Sequence, residues 1–85
     1  MSVTSPITTF SNMKIVLNIL YDNNSFDKEQ SLDKNFIANR MSKSVSIVNN
    51  ALAMLRELKL VSGGHRYRNK RVFLLKQGED FFLKN

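Results

Sequence analysis

Eighty-five residues suffice for about one small domain, and a hydrophobic share of 42% separates this chain from a disordered basic tail. The absence of cysteine and the single histidine exclude disulfide scaffolds, thiol nucleophiles, thiolate zinc sites and multi-histidine metal centres. Thirteen Lys and Arg against seven Asp and Glu leave a net charge of +6, a balance that favours a polyanionic partner.

Residues 1–7 are polar and contain Pro6, which predicts a flexible N-terminal arm ahead of a folded domain over 8–85. The arm has neither the basic nor the apolar region of a secretory leader. The apolar stretches Ile15–Leu17 and Val72–Leu75 fall far short of the ~20 residues of a membrane span, so the expectation is a cytoplasmic chain without a membrane partner. Thr8 or Thr9 caps a first helix running to about Tyr21. Its buried face is drawn from Phe10, Met13, Ile15, Val16, Leu17, Ile19 and Leu20. Asp22–Ser25 breaks it, and Asp27–Ser31 reads as a polar loop. Asp33 caps a short second helix, Lys34–Met41, with Phe36, Ile37, Ala38 and Met41 inward.

Ser42-Lys43-Ser44 is a tight polar break, and Ser44 suits the cap of a third helix reaching about Leu58. Val48, Ala51, Leu52, Leu55 and Leu58 recur by threes and fours along it. Ser46, Asn49, Asn50 and Ala53 fall on another stripe that is small, polar and uncharged. After Leu58 the period changes. Leu60-Val61-Ser62 and Arg71–Leu75 read as two strands of a hairpin around the basic run His65–Lys70. Gly63-Gly64 and Arg68-Asn69 are both candidate turns, the second preferred. Gly78 opens a last helix, Glu79 to about Lys84, with Phe81 and Phe82 apolar. Two adjacent phenylalanines on so short a helix cannot both face inward. One is therefore expected at the surface, in a homodimer contact with the first helix.

Charge is segregated along this plan. Residues 39–76 carry nine cations against Glu57 alone, a net of +8, while the segments on either side are each net −1. One sign gathered in one segment points to phosphate rather than to an ordinary solvated face.

The order of helix, helix, tight turn, helix and basic hairpin resembles a winged helix-turn-helix, and in detail the MarR-like class of winged-helix DNA-binding proteins. The likeness rests on Ile37-Ala38, Ser44, Val48, Leu52, Leu55 and Leu60-Val61, and on Gly78 in the first turn after the wing. It spans roughly residues 8–85. Where that class often carries Gly, in the turn before its recognition helix and just before the apolar-Val pair, this chain has Ser42 and Lys59. It has Leu75 where the class often has Thr. The long terminal helices of MarR-type dimers have no counterpart here, so that dimer geometry and ligand pocket are not carried over. The resemblance implies an α+β, mostly helical domain: three helices, a two-stranded β wing and a short C-terminal helix.

The resemblance makes the third helix, 44–58, the element that enters a major groove about 12 Å wide. Short side chains at its start, Val45, Ser46, Asn49 and Asn50, are the expected base contacts. Asn pairs with adenine through both amide atoms and Val45 meets a thymine methyl, so the contacts lean towards A·T. The competing reading of Asn49 and Asn50 is a pair of solvated helix residues. Arg40, Lys43, Ser44, Arg66, Tyr67, Arg68, Lys70 and Arg71 are the expected contacts to the phosphate backbone or, from the wing 65–71, to the minor groove. His65 reads as a wing surface residue.

The leading expectation is sequence-specific binding of double-stranded DNA by a small transcriptional regulator acting through promoter occupancy, alone or beside RNA polymerase. The alternative is a winged-helix protein-interaction module in a replication or transcription assembly. With no nucleophile–base pair, metal-ligand spacing or phosphate-cradling loop, no enzyme, no cofactor and no metal is expected. The expected location is cytoplasmic and nucleoid-associated; the small, Asn-rich format suits an accessory element such as a phage, virus or plasmid, which would make it a host cytoplasm.

Overall fold

Seven short elements follow in chain order in a computed structural model that describes residues 6–65 and 70–84. They are α1 (Pro6–Asp22), β1 (Leu32–Asp33), α2 (Lys34–Met41), α3 (Val45–Glu57), β2 (Val61–Gly63), β3 (Arg71–Leu74) and α4 (Lys76–Lys84). The described chain is α+β and mostly helical, with four helices and one three-stranded antiparallel sheet in the order β1-β3-β2. The extra strand is β1, in a place that reads as plain cap and loop in the sequence. Leu32 lies opposite Val72 and Asp33 opposite Arg71; on the other side of β3, Val61 lies opposite Leu74 and Ser62 opposite Phe73. A two-residue strand has no local signal of its own, because pairing with a distant strand is what extends it.

Helix α1 begins at Pro6, ahead of both expected caps. Proline's fixed φ suits a first helical turn, where its missing N–H costs nothing. Residues 6 and 7 of the expected arm 1–7 thus belong to α1, and its residues 1–5 lie outside the described residues. Asp33 caps α2 by accepting from the Asn35 N–H at 2.7 Å, and Ser44 caps α3 by accepting from the Ile47 N–H at 3.3 Å. Helix α4 starts at Lys76, two residues before Gly78.

The first three helices stop in one way. Asn24, Ser42 and Lys59 each sit in the left-handed region, at φ 55°, 56° and 61°. The N–H of each turns back to a carbonyl three residues earlier, on Tyr21, Asn39 and Arg56. The N–H of the next residue reaches five back, to Leu20, Ala38 and Leu55. This is the Schellman arrangement, built three times without glycine.

The core is aliphatic. Val16, Leu17 and Leu20 of α1, Ile37 of α2, Val48, Leu52 and Leu55 of α3 and Val72 and Leu74 of β3 are buried together. This corrects the expected inward positions of Phe10, Ile15, Phe36 and Leu58, all of which are exposed. Ile15 falls on the far side of α1 from the Val16–Leu20 stripe. Phe10 and Phe36 lie under the cations Lys14 and Arg40, at 5.4 and 5.6 Å from ring centre to nitrogen or guanidinium carbon. Phe81 and Phe82 are both half-buried, and Phe82 packs on Tyr21 with ring centres 4.9 Å apart; it is Leu83 that lies exposed on α4.

Ser25, fully buried, stitches the exit of α1 to the sheet. Its Oγ donates to the Val72 carbonyl at 3.1 Å and its own carbonyl accepts from the Leu74 N–H at 2.6 Å. Gly78 lets α4 close on the chain leaving α3, since a Cβ there would lie 2.0 Å from the Leu60 carbonyl oxygen.

Candidate nucleic-acid interface

The stripe expected on α3 lies at the surface. Ser46 and Asn50 are exposed, Val45 and Asn49 are half-buried, and the opposite side of the helix carries the core residues Val48, Ala51, Leu52 and Leu55. The Ser44 hydroxyl is occupied by the cap, while the residue itself is exposed. Arg40 and Lys43 are exposed at the end of α2 and in the turn, so they flank the start of α3.

Asn49 is not a free amide. Its Oδ1 accepts from Nζ of Lys34 at 2.7 Å, and the same nitrogen donates to the His65 carbonyl at 3.3 Å. Lys34 is 4% exposed. Its backbone N–H donates to the Lys70 carbonyl at 2.8 Å. One residue at the start of α2 therefore joins α3 to both legs of the hairpin. A groove of about 310 Å³ opens at this junction, lined by Lys34, Asn35, Val45, Asn49 and Lys70. Two lysines with no carboxylate in the lining give it a positive potential next to a polar helix face.

Arg56 makes a second link. Its Nη1 donates to the carbonyls of Gly63 and Gly64 at 3.2 and 3.1 Å. Gly64, at φ 76°, fits because a Cβ would lie 2.7 Å from Leu52 Cδ1 and 2.8 Å from Val72 Cγ2. The Gly64 N–H pairs with the Arg71 carbonyl, so the two strands are still in register there and the hairpin does not turn at Gly63-Gly64. The other candidate turn, Arg68-Asn69, lies outside the described residues, as do the expected contacts Arg66, Tyr67 and Arg68.

Arg71 parts company with the other expected backbone contacts. Its guanidinium donates to the hydroxyl of Ser31 at 3.0 Å and to the Ser31 carbonyl. It lines a different groove, of about 500 Å³, with Lys28, Ser31, Ser62 and Phe73 on the outer face of the sheet. Val45, Asn49 and Lys70 thus share one groove, Ser46 and Asn50 lie exposed on the same helix, and Arg71 is placed elsewhere.

Sequence reasoning missed Lys34 and Arg56 as organisers of this site. The signal existed: Lys34 lies on the same three-and-four spacing as Ile37, Ala38 and Met41, the buried stripe of α2. Arg56 likewise lies one turn beyond Leu52. Among the described residues no three His, Cys, Asp or Glu side chains gather as metal ligands, and no helix is long and apolar enough to cross a membrane. The chain matches no family model, no curated protein and no solved structure.

Proposed function

We propose that this chain is a sequence-specific double-stranded DNA-binding domain of the winged helix-turn-helix type, most simply a small transcriptional regulator acting by promoter occupancy. Helix α3 lies in the major groove, with Val45, Ser46, Asn49 and Asn50 at base edges. Arg40, Lys43 and Ser44 meet the phosphates beside it. The wing, residues 65–71, supplies Arg66, Tyr67, Arg68 and Lys70 to the backbone or minor groove, while Arg71 serves to hold the loop at Ser31.

One observation carries this reading: the small, polar, uncharged face at the start of α3 borders a groove that it shares with lysines of α2 and of the hairpin base. A helix that must enter a groove of about 12 Å needs short side chains where it touches bases and cations where the backbone passes. The winged-helix part draws support from Ser42 and Lys59. Both hold the left-handed conformation at the positions where the MarR-like class often has Gly, so the turns match even where the residues differ. A homodimer is the form in which such a domain reads two half-sites, and Phe10 and Ile15 of α1 and Leu83 of α4 are exposed apolar side chains available to such a contact.

The test is fluorescence anisotropy on a random duplex across a salt series. Neutralising about five phosphates gives a log–log slope of about −4 to −5. No binding at low salt sinks the reading and leaves the protein-interaction module in its place.

A further inference from the structure

We infer that Lys34 is a specificity-determining residue: by holding Oδ1 of Asn49 inward, it turns the NH₂ end of that side chain to the DNA. The inference rests on the DNA-binding reading above and deepens it, by naming which base edge Asn49 meets.

The chemistry is one-sided. An ammonium group has donors and no acceptor. Nζ of Lys34 sits between two oxygens, Oδ1 of Asn49 and the carbonyl of His65, and donates to both. That fixes which end of the Asn49 amide faces inward. The oxygen is turned to Lys34, and Nδ2 is the end left over. Lys34 is itself buried on the stripe of Ile37, Ala38 and Met41 and held at its backbone by Lys70, so it cannot easily swing away.

The consequence appears at the groove floor. Paired reading of adenine needs an amide oxygen to accept from N6–H₂ and an amide nitrogen to donate to N7. In Asn49 the oxygen is turned inward, one lone pair given to Lys34, so the side chain cannot set both atoms on one adenine edge. It presents a donor, which suits guanine, whose N7 and O6 are adjacent acceptors, or thymine O4, better than adenine, whose N7 acceptor has the N6–H₂ donor beside it. The donor-bearing N4 of cytosine is rejected. Asn50, exposed one residue on, is the side chain placed for two-atom adenine recognition. Two neighbouring asparagines thereby read their bases differently, and two-atom reading of adenine is confined to Asn50.

The experiment has two readouts. In ¹⁵N-edited spectra of the free protein, Lys34→Met should move the side-chain NH₂ signals of Asn49 and leave those of Asn50 in place. If the Asn49 signals do not move, the tie between the two residues is absent and the inference falls, whatever the DNA does. In duplex selection from a random pool, the wild type should choose guanine or thymine at one position. Lys34→Met should shift that position towards adenine by about five- to tenfold and leave the other positions unchanged. Asn49→Asp, which keeps an oxygen for Lys34 and removes the donor, should abolish the guanine or thymine preference there. Thermal melting of each variant shows that it folds. Unchanged base choice in folded Lys34→Met overturns the inference and spares the DNA-binding reading. Absence of wild-type binding to any duplex at low salt overturns both.

Discussion

Arg56 on α3 donates to the carbonyl of Gly64 at 3.1 Å, so the helix that carries the candidate base contacts also fixes where the hairpin leaves the sheet. Two bonds from one half-buried guanidinium nitrogen cap the carbonyls of Gly63 and Gly64. Replacing Arg56 with Met should lower unfolding free energy by about 1.5–3 kcal/mol in urea melts, the range for hydrogen bonds to a charged group. Hydrogen exchange at the Gly64 N–H should quicken more than at core amides of α1. Equal protection at Gly64 in the variant would show that the strands hold the hairpin unaided.

Lys59 and Ser42 hold a backbone conformation that a side chain disfavours. Glycine relieves the Cβ clash and costs some chain entropy, with a net gain of about 0.5–1 kcal/mol at each site. The two turns end different helices, so the gains should add. Calorimetry should place the Lys59→Gly, Ser42→Gly double variant several degrees above the wild type. A lowered midpoint would mean that one of these side chains makes a compensating contact.

Gly78 reverses the usual sign of a glycine in a helix. Alanine at an ordinary helical position gains about 1 kcal/mol over glycine. Here the added methyl would meet the Leu60 carbonyl at 2.0 Å, and backbone cannot give way cheaply. Gly78→Ala should destabilise by about 2–3 kcal/mol in denaturant melts, as overpacking does, and should loosen α4 first. A neutral result would require α4 to reseat as a unit.

The cations divide into two groups by placement. Arg40→Gln and Lys43→Gln should each reduce the salt slope of duplex binding by about 1 and weaken all sequences alike. Arg71→Gln should leave that slope unchanged and instead lower thermal stability, because Arg71 is bound to Ser31. An Arg71 variant that flattens the slope while melting normally would return Arg71 to the interface.

The helices were largely legible because their cues are local. The spacing of Ile37, Ala38 and Met41, and of Val48, Leu52 and Leu55, needs only neighbours three and four residues away; the same holds for the caps at Asp33 and Ser44. What was hidden depends on partners far along the chain. The strand Leu32–Asp33 exists through residues 71 and 72, and the burial of Ser25 through Val72 and Leu74. The Lys34 tie reaches 15 residues ahead to Asn49 and 31 to His65. Aromatic size misled as well: Phe10 and Phe36 promised burial, but the aliphatic side chains of three helices and two strands already fill the interior.

Lys34 grips the hairpin by both legs, through the carbonyls of His65 and Lys70, at the points where residues 66–69 depart. Those two departure points are therefore held from α2 by Lys34, while Gly63 and Gly64 just before them are held from α3 by Arg56. One residue of α2 thus joins the two legs across the space between them, by its side chain on one leg and by its backbone N–H on the other.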